Sequence, residues 1–344
     1  MTRRYLPPEW APQSAVMLTW PRADGDFARH FDAVEHNFVA IAVAITRFQD
    51  VHINYGLDPA ELRNRLVQAG AHPARLRIYR IDSNDVWARD HGPITVLSDG
   101  RPLHLDFVFN GWGGKFNATL DTQLTRKLAD LGAWTAPVST LDFVLEGGGI
   151  EVDGCGTLLT TERCLLAPTR NPALSRDQIE AVLKREFGVE RVLWLRHGDL
   201  LGDDTDGHID TIARFCDAHT IAYQACDDQS DPHYADLKAM ADELAAFRTR
   251  DGSPYDLVPL PLPGAIHDED GRRLPAGYAN FLILNGAVLV PTYGDAHDEP
   301  ALDRLRDVFE DREVIGIDCR ALIQQYGSLH CVTMQIPAAP AGRS

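Results

Sequence analysis

A chain of 344 residues, 44% hydrophobic and 24% charged, is long enough to bury a sizeable core and has the composition of an ordinary globular protein. Its 50 acidic against 33 basic residues give a formal charge of −17; this argues against nucleic acid, which needs basic patches, and suits a cationic ligand, although solubility is the plainer reason for the excess. No apolar run reaches the roughly 18–20 residues of a membrane span, the start Thr2-Arg3-Arg4-Tyr5 has no apolar stretch behind it, and 6 irregularly spaced cysteines without a C-x-x-C pair read as free thiols of a reducing, cytoplasmic compartment.

From the N-terminus, strand patterns fall at 14–19 and 51–55, with an amphipathic helix over 27–49 between them. Asp58-Pro59-Ala60-Glu61 starts the next helix, with an acid at the N-cap and proline at the first helical position. Strands are then expected at 76–81, 103–108, 141–145, 148–153 and 156–161, with a helix at 118–131. Ser175 and Gln178 make a capping box for a helix over 176–187, whose Ile179, Val182, Leu183 and Phe187 share one face. Further strands are expected at 192–195, 208–216, 219–224, 256–260, 279–285, 287–291, 313–317 and 330–336. Helices at 234–248 and 299–310 carry the stripes Tyr234, Leu237, Met240, Leu244, Phe247 and Leu302, Leu305, Val308, Phe309. This makes about five helix-to-strand units, a loose repeat that fits a ring of units or a doubly wound sheet equally well. No linker divides the chain, so one domain is expected over 1–336, with a disordered tail over 337–344.

Five segments could carry chemistry. Asn84-Asp85-Val86-Trp87-Ala88-Arg89-Asp90-His91-Gly92-Pro93 packs acids, arginine and histidine beside Trp87 and closes on a turn; a solvated turn with an ion pair is the competing reading. Asn110-Gly111-Trp112-Gly113-Gly114-Lys115 lacks phosphate-loop spacing and reads as a turn that lines a ligand or serves structure alone. In Glu146-Gly147-Gly148-Gly149 the glycines let backbone approach a ligand, or make a plain hairpin. In Asp203-Asp204-Thr205-Asp206-Gly207-His208-Ile209-Asp210 a strand would align Asp206, His208 and Asp210 on one face. Such a set suits a metal site, a general acid/base beside a cation-binding carboxylate, or a satisfied polar pair. Last, Cys331 at the start of a strand, after Gly327-Ser328, is placed to be exposed, whereas Cys155, Cys164, Cys216, Cys226 and Cys319 read as buried small hydrophobes.

Taken together, Asn-Asp-x-Trp-x-Arg-Asp-x-Gly-Pro at 84–93, Glu-Gly-Gly at 146–148, Gly-His-x-Asp at 207–210 and His-Cys at 330–331 resemble the agmatine deiminases and the bacterial peptidylarginine-deiminase-type proteins grouped with them. The resemblance runs from Pro8-Glu9-Trp10-Ala11-Pro12 through Leu18-Thr19-Trp20-Pro21 to Gln335. It implies an α/β pentein fold: a five-bladed propeller of ββαβ-like repeats around a central active-site channel. It also implies Cys331 as nucleophile, His208 as general acid/base, Asp90 and Asp210 as guanidinium-binding carboxylates, Glu146 as a further catalytic acid, and Trp87 and Gly147 in the substrate pocket, with no metal and no cofactor. One departure stands out: many of these enzymes carry Glu-Thr-Asn-Gly-His where this chain has Asp204-Thr205-Asp206-Gly207-His208.

The chemistry is consistent with those residues. A guanidinium is a planar cation with a poorly electrophilic carbon, and two carboxylates match its fork of donors. A thiol of pKa about 8.5 supplies little thiolate at neutral pH, and a bound cation favours it. The expected substrate is agmatine, a small cationic guanidino compound, converted with water to N-carbamoylputrescine and ammonia. Trp112 is expected to wall the pocket and Asp204 to meet the far amine. Peptidylarginine or free arginine are the alternative substrates. A metal-dependent hydrolase, a non-catalytic cation binder and an amidinotransferase are the alternative classes. Nucleic acid and membrane are not expected partners; a homodimer is the assembly expected.

Overall fold

Strands of two to eight residues cannot enclose a core singly, and here they gather into five small sheets among the described residues. The computed structural model describes residues 3–340. Every sheet repeats one unit: an antiparallel pair, a helix, and a third strand parallel to the second. The helical crossover is what a parallel pair requires.

In the first sheet Thr333–Pro337 pairs antiparallel with Gln13–Thr19, and helix Phe31–Thr46 leads to the parallel strand Asp50–Tyr55. Helix Pro59–Gln68 adds a fourth strand, Leu76–Arg80. The second sheet holds Ile94–Ser98, Arg101–Val108 and, after helix Leu124–Asp130, Val138–Val144, with Arg4–Tyr5 at its edge. The third holds Glu151–Val152, Thr157–Thr161, helix Arg176–Phe187 and Arg191–Leu195. The fourth holds Ala213–Phe215, Thr220–Gln224, helix Tyr234–Ala246 and Asp256–Leu260. The fifth holds Leu282–Ile283, Ala287–Thr292, helix Asp298–Val308 and Glu313–Asp318. These are the five ββαβ units of a pentein, not a doubly wound sheet.

The helix signals read from the sequence hold. Asp58 Oδ1 accepts the Ala60 N–H at 3.0 Å, and Ser175 and Gln178 form the reciprocal capping box. Ile179, Leu183 and Phe187, like Leu237, Met240 and Leu244, are buried. The strand Ile94–Ser98 is absent from the predicted elements, although Ile94-Thr95-Val96 has strand-forming character.

Four predicted strands are much shorter or displaced. The patterns at 148–153, 208–216, 279–285 and 330–336 reduce to Glu151–Val152, Ala213–Phe215, Leu282–Ile283 and Thr333–Pro337. The residues left out form links between successive sheets. Among them Ile209, Ile212, Phe281 and Val332 are apolar and buried, and such burial imitates a strand pattern. At the C-terminus the strand takes in Pro337, and the Ala338 N–H donates to Pro12 O at 2.8 Å. The first residues of the expected tail are therefore tied to the first sheet, and its residues 341–344 lie outside the described residues.

Candidate active site

Each of the five links between sheets delivers a polar side chain to one buried place. The link from the first sheet to the second supplies Asp90, in the helical turn Ala88–His91. The next supplies Glu146 and Gly148, the third His208 and Asp210, the fourth Asn280 and the fifth Cys331. Residues 241 positions apart in sequence thus meet because the repeats converge.

His208 and Asp210 do not lie on a strand. His208 caps a 3-10 turn, Ile209–Thr211, and Asp210 lies within it, which still brings both inward. Asp206, expected on the same face, is turned away. Its backbone is left-handed (φ 66°) and its carboxylate holds Arg170 Nη1 at 2.7 Å and Lys115 Nζ at 2.9 Å. Asp and Asn are the non-glycine residues that tolerate this conformation best. The exchange of asparagine for Asp206 is therefore a turn residue exchanged for a turn residue, away from the pocket.

Around the thiol the distances are short. Cys331 Sγ lies 3.4 Å from Asn280 Oδ1 and 4.0 Å from Asp210 Oδ2. Asp90 Oδ1 accepts the Gly148 N–H at 3.1 Å and sits 3.6 Å from His208 Nδ1; Asp90 Oδ2 accepts the Trp112 indole N–H at 2.9 Å. Asp210 Oδ2 meets His330 Nδ1 at 2.7 Å, while Asp210 Oδ1 and both ring nitrogens of His208 have no hydrogen-bond partner. Buried polar atoms are seldom left unpaired in this way, and three such atoms on neighbouring residues mark where donors and acceptors of a ligand belong.

Cys331 is only 3% exposed, a correction to the exposed thiol expected from its loop. Burial, and then the charges of Asp210 and Asp90, hold the thiol well above its ordinary pKa. Burial works against a charged His208, but Asp90, Cys164 and Glu146 outweigh it and hold the imidazole well above its usual value. Burial, with like charge from Asp210 and Glu146, pushes Asp90 up to about 6 against the pull of His208. For Asp210 burial is overcome by the hydrogen bond and charge of His330, then by His208 and Arg214, and its pKa is lowered.

Glu146 makes no hydrogen bond to His208. Both of its oxygens accept from Arg170 Nε at 3.0 Å, so it acts on the imidazole through charge. Arg170 and Cys164 carry no sequence signal: one follows a turn, the other reads as a small hydrophobe, yet both lie buried beside Glu146. Asn280, also unread, receives the His330 N–H at 2.9 Å and donates to Asp210 O at 3.2 Å.

Gly147, grouped by the sequence with the pocket, lies instead on a cavity behind the floor, lined also by Glu9, Arg89, Glu151 and Met334. Gly148 holds the central position. A Cβ there would lie 2.6 Å from His208 Nδ1, 2.9 Å from Asp90 Oδ1 and 3.1 Å from Asp210 Oδ2. Gly148→Ala is expected to lower kcat/KM by about 100-fold or more, since displacements near 1 Å suffice for that. Ammonia-release kinetics, with a melting curve to show an intact fold, measure this.

The floor of Asp90 and Cys331 opens to a pocket of about 420 Å³ walled by Trp87, Trp112, Phe116 and Tyr326. Its charged lining residues are Asp26, Asp85, Asp90 and Asp204, all acidic. Asp204 sits at the rim, 3.2 Å from Lys115 Nζ. Trp112 keeps a left-handed backbone (φ 54°, ψ 51°), unusual for a bulky residue. Its ring is held by Phe109 at 4.9 Å and Phe116 at 5.5 Å, so that its N–H points at Asp90.

Two buried sets, Glu146-Cys164-His208 and Glu9-Glu151-His330, bring possible metal donors within 4.8 Å of one another. In both, the carboxylates already have cationic partners, Arg170 in the first and Arg214 with His330 in the second. A divalent ion would have to displace them.

Residues 5–337 match the family of Porphyromonas-type peptidyl-arginine deiminases. An agmatine deiminase of Stutzerimonas stutzeri is 36% identical over 97% of this chain and 95% of its own. The crystal structure of a Porphyromonas gingivalis protein provisionally named an arginine deiminase is 54% identical, with a TM-score of 0.92 over 98% of this chain and 99% of that one. A C. jejuni agmatine deiminase with a cysteine-to-serine exchange and substrate bound is 35% identical, with a TM-score of 0.91 over 98% of this chain and 97% of that one.

Proposed function

Because the chain belongs to the Porphyromonas-type peptidyl-arginine deiminase family, we propose that it hydrolyses agmatine to N-carbamoylputrescine and ammonia, with Cys331 as nucleophile. The observation that carries this reading is the pair Asp90 and Asp210 beside a buried thiol, with Asp90 and Cys331 on the floor of a pocket whose charged lining is acidic throughout.

In the proposed mechanism Asp90 and Asp210 grip the guanidinium and hold its carbon against Cys331 Sγ. The arriving cation offsets the two carboxylates that hold the thiol protonated, so substrate binding sends the thiol proton out to solvent and helps to form the attacking thiolate. The sulfur–carbon bond forms as the carbon–nitrogen π bond opens. His208, charged in the free enzyme, gives a proton to the departing nitrogen, and ammonia leaves a thiouronium on Cys331. His208 then takes a proton from water as its oxygen adds to the same carbon, and collapse breaks the carbon–sulfur bond, the adduct's hydroxyl proton passing to the departing sulfur to restore the thiol and leave the ureido product. Trp87 and Trp112 flank the alkyl chain.

Agmatine is favoured over arginine because its far end is an ammonium. Asp204 at the rim and Asp85, pushed up to about 7 by burial and by Asp26, both suit that end, whereas an α-carboxylate would meet like charge. Six cysteines without a disulfide support a reducing, cytoplasmic location, and the homodimer remains a proposal for sedimentation equilibrium to test.

Ammonia release from agmatine, free arginine and a blocked arginyl peptide tests the substrate. The expected kcat/KM is highest for agmatine, and a preference for either alternative would overturn that part of the reading. Turnover lost to a chelator and regained with a divalent ion would favour a metal-dependent hydrolase instead.

A further inference from the structure

His330, next to the nucleophile, has no part in the mechanism above, yet its ring is the most firmly bracketed in the site. Nδ1 lies 2.7 Å from Asp210 Oδ2 and Nε2 lies 2.8 Å from Glu9 Oε2, with the side chain 1% exposed. A neutral imidazole has one donor nitrogen and one acceptor. Two ionised carboxylates are both satisfied only when both nitrogens donate, that is, by an imidazolium.

We propose that His330 is a positioning residue, an imidazolium clamped between Glu9 and Asp210 that holds Asp210 Oδ2 beside Cys331 Sγ and leaves Oδ1 free for the substrate's N–H. This rests on the reading above that Asp210 grips the guanidinium.

The clamp has fixed jaws. The His330 backbone N–H donates to Asn280 O at 3.2 Å and to Asn280 Oδ1 at 2.9 Å. Glu9 Oε1 accepts the Ile283 N–H at 2.8 Å, and Oε2 lies 2.9 Å from Arg214 Nη2 and 3.5 Å from Arg89 Nη2. Arg214 in turn pairs with Glu151. A line of alternating charge, Arg214–Glu9–His330–Asp210, therefore ends 4.0 Å from Cys331 Sγ. The groups facing His330 are Glu9 and Asp210, with Arg89, Arg214 and Glu151 behind Glu9. Those facing Asp210 are His330, His208, Asp90 and Cys331, with the charges of Arg214 and Arg89 also felt there. With the imidazolium gone, Asp210 loses its strongest partner and takes up a proton more readily.

His330→Gln keeps one donor for Asp210 but removes the charge. The expected result is a KM for agmatine raised at least 10-fold, with kcat changed less. The acid limb of kcat/KM should move to higher pH and steepen, because Asp210 now titrates along with Asp90. Imidazole added to His330→Ala should restore part of the loss. A wild-type KM and acid limb in His330→Gln, even with a lower melting temperature, would reduce the residue to a structural role and overturn the proposal. Should His330→Gln fail to fold, Glu9→Gln keeps the shape, weakens the imidazolium and should shift the limb in the same direction by less; no shift there would overturn it equally. Binding of agmatine to Asp210→Asn in a Cys331→Ser background separates the two layers. Undiminished binding there refutes the Asp210 grip itself, whereas lost binding there with an unaltered His330→Gln refutes only the clamp.

Discussion

Cys331→Ser is expected to lower kcat for agmatine by about 10⁴-fold or more while agmatine still binds, because a serine hydroxyl at this position has no base placed to activate it. Ammonia release gives the loss and calorimetry gives the retained binding. The free enzyme sharpens the expectation. Burial, Asp210 and Asp90 hold the Cys331 thiol well above the ordinary range, so the unliganded protein should react slowly with alkylating agents at neutral pH. A bound guanidinium reverses the local charge and should lower the thiol pKa. Alkylation rate against pH, with and without a non-reacting guanidino ligand, measures both values. An equal or higher thiol pKa in the complex would refute substrate-assisted activation, and full turnover by Cys331→Ser would refute the nucleophile.

The second large effect belongs to His208. His208→Gln is expected to lower kcat by about 10²–10⁴-fold, the range for losing a general acid/base, with little change in agmatine binding. The pH profile carries the sign. Asp90 must be ionised to grip the substrate, and with its pKa at about 6 activity should rise as pH climbs through that value. His208 must be charged to protonate the leaving nitrogen. Its pKa is raised, so the competent form persists above the usual histidine range and is lost only as pH rises through the raised value. The wild type should thus show a bell, and His208→Gln should keep the acid limb, lose the basic limb that His208 supplies and sit on a far lower plateau. An unchanged basic limb in the variant would remove His208 from the proton transfer.

The repeat was legible in the sequence through the periodic apolar faces of its helices, with explicit starts at Asp58 and Ser175. The convergence of the site residues was legible because each motif is compact: Asp90, Glu146, His208-x-Asp210 and Cys331, which the fold brings together, all sit in short segments of unusual composition. What failed was local geometry at the links. Ile209, Leu329 and Val332 are buried and apolar, which the sequence pattern takes for strand, while the backbone there turns so that His208, Asp210 and Cys331 face the centre. The supporting shell was illegible for another reason. Glu9 meets His330 across 321 residues, and Asn280 meets Cys331 across 51. Neither pairing leaves a spacing that one sequence reveals. Arg170 looks like any surface arginine until Glu146 and Asp206 are seen on either side of it.

The strand Thr333–Pro337 closes the first sheet on Gln13–Thr19, and Cys331 lies just ahead of it. Ser14 waits 322 residues for its partner Ile336. At about 5–20 residues per second of synthesis, that wait is roughly 15–60 seconds. During it, Gln13–Thr19 can pair on one side only, with Asp50–Tyr55, and its other edge is open to any stray strand. Both carboxylates and the imidazole emerge from the ribosome long before the thiol does. A chain interrupted between Asp210 and Cys331 therefore carries both carboxylates and the imidazole without the thiol, and the final docking of the closing strand covers the open edge and delivers Cys331 in a single event.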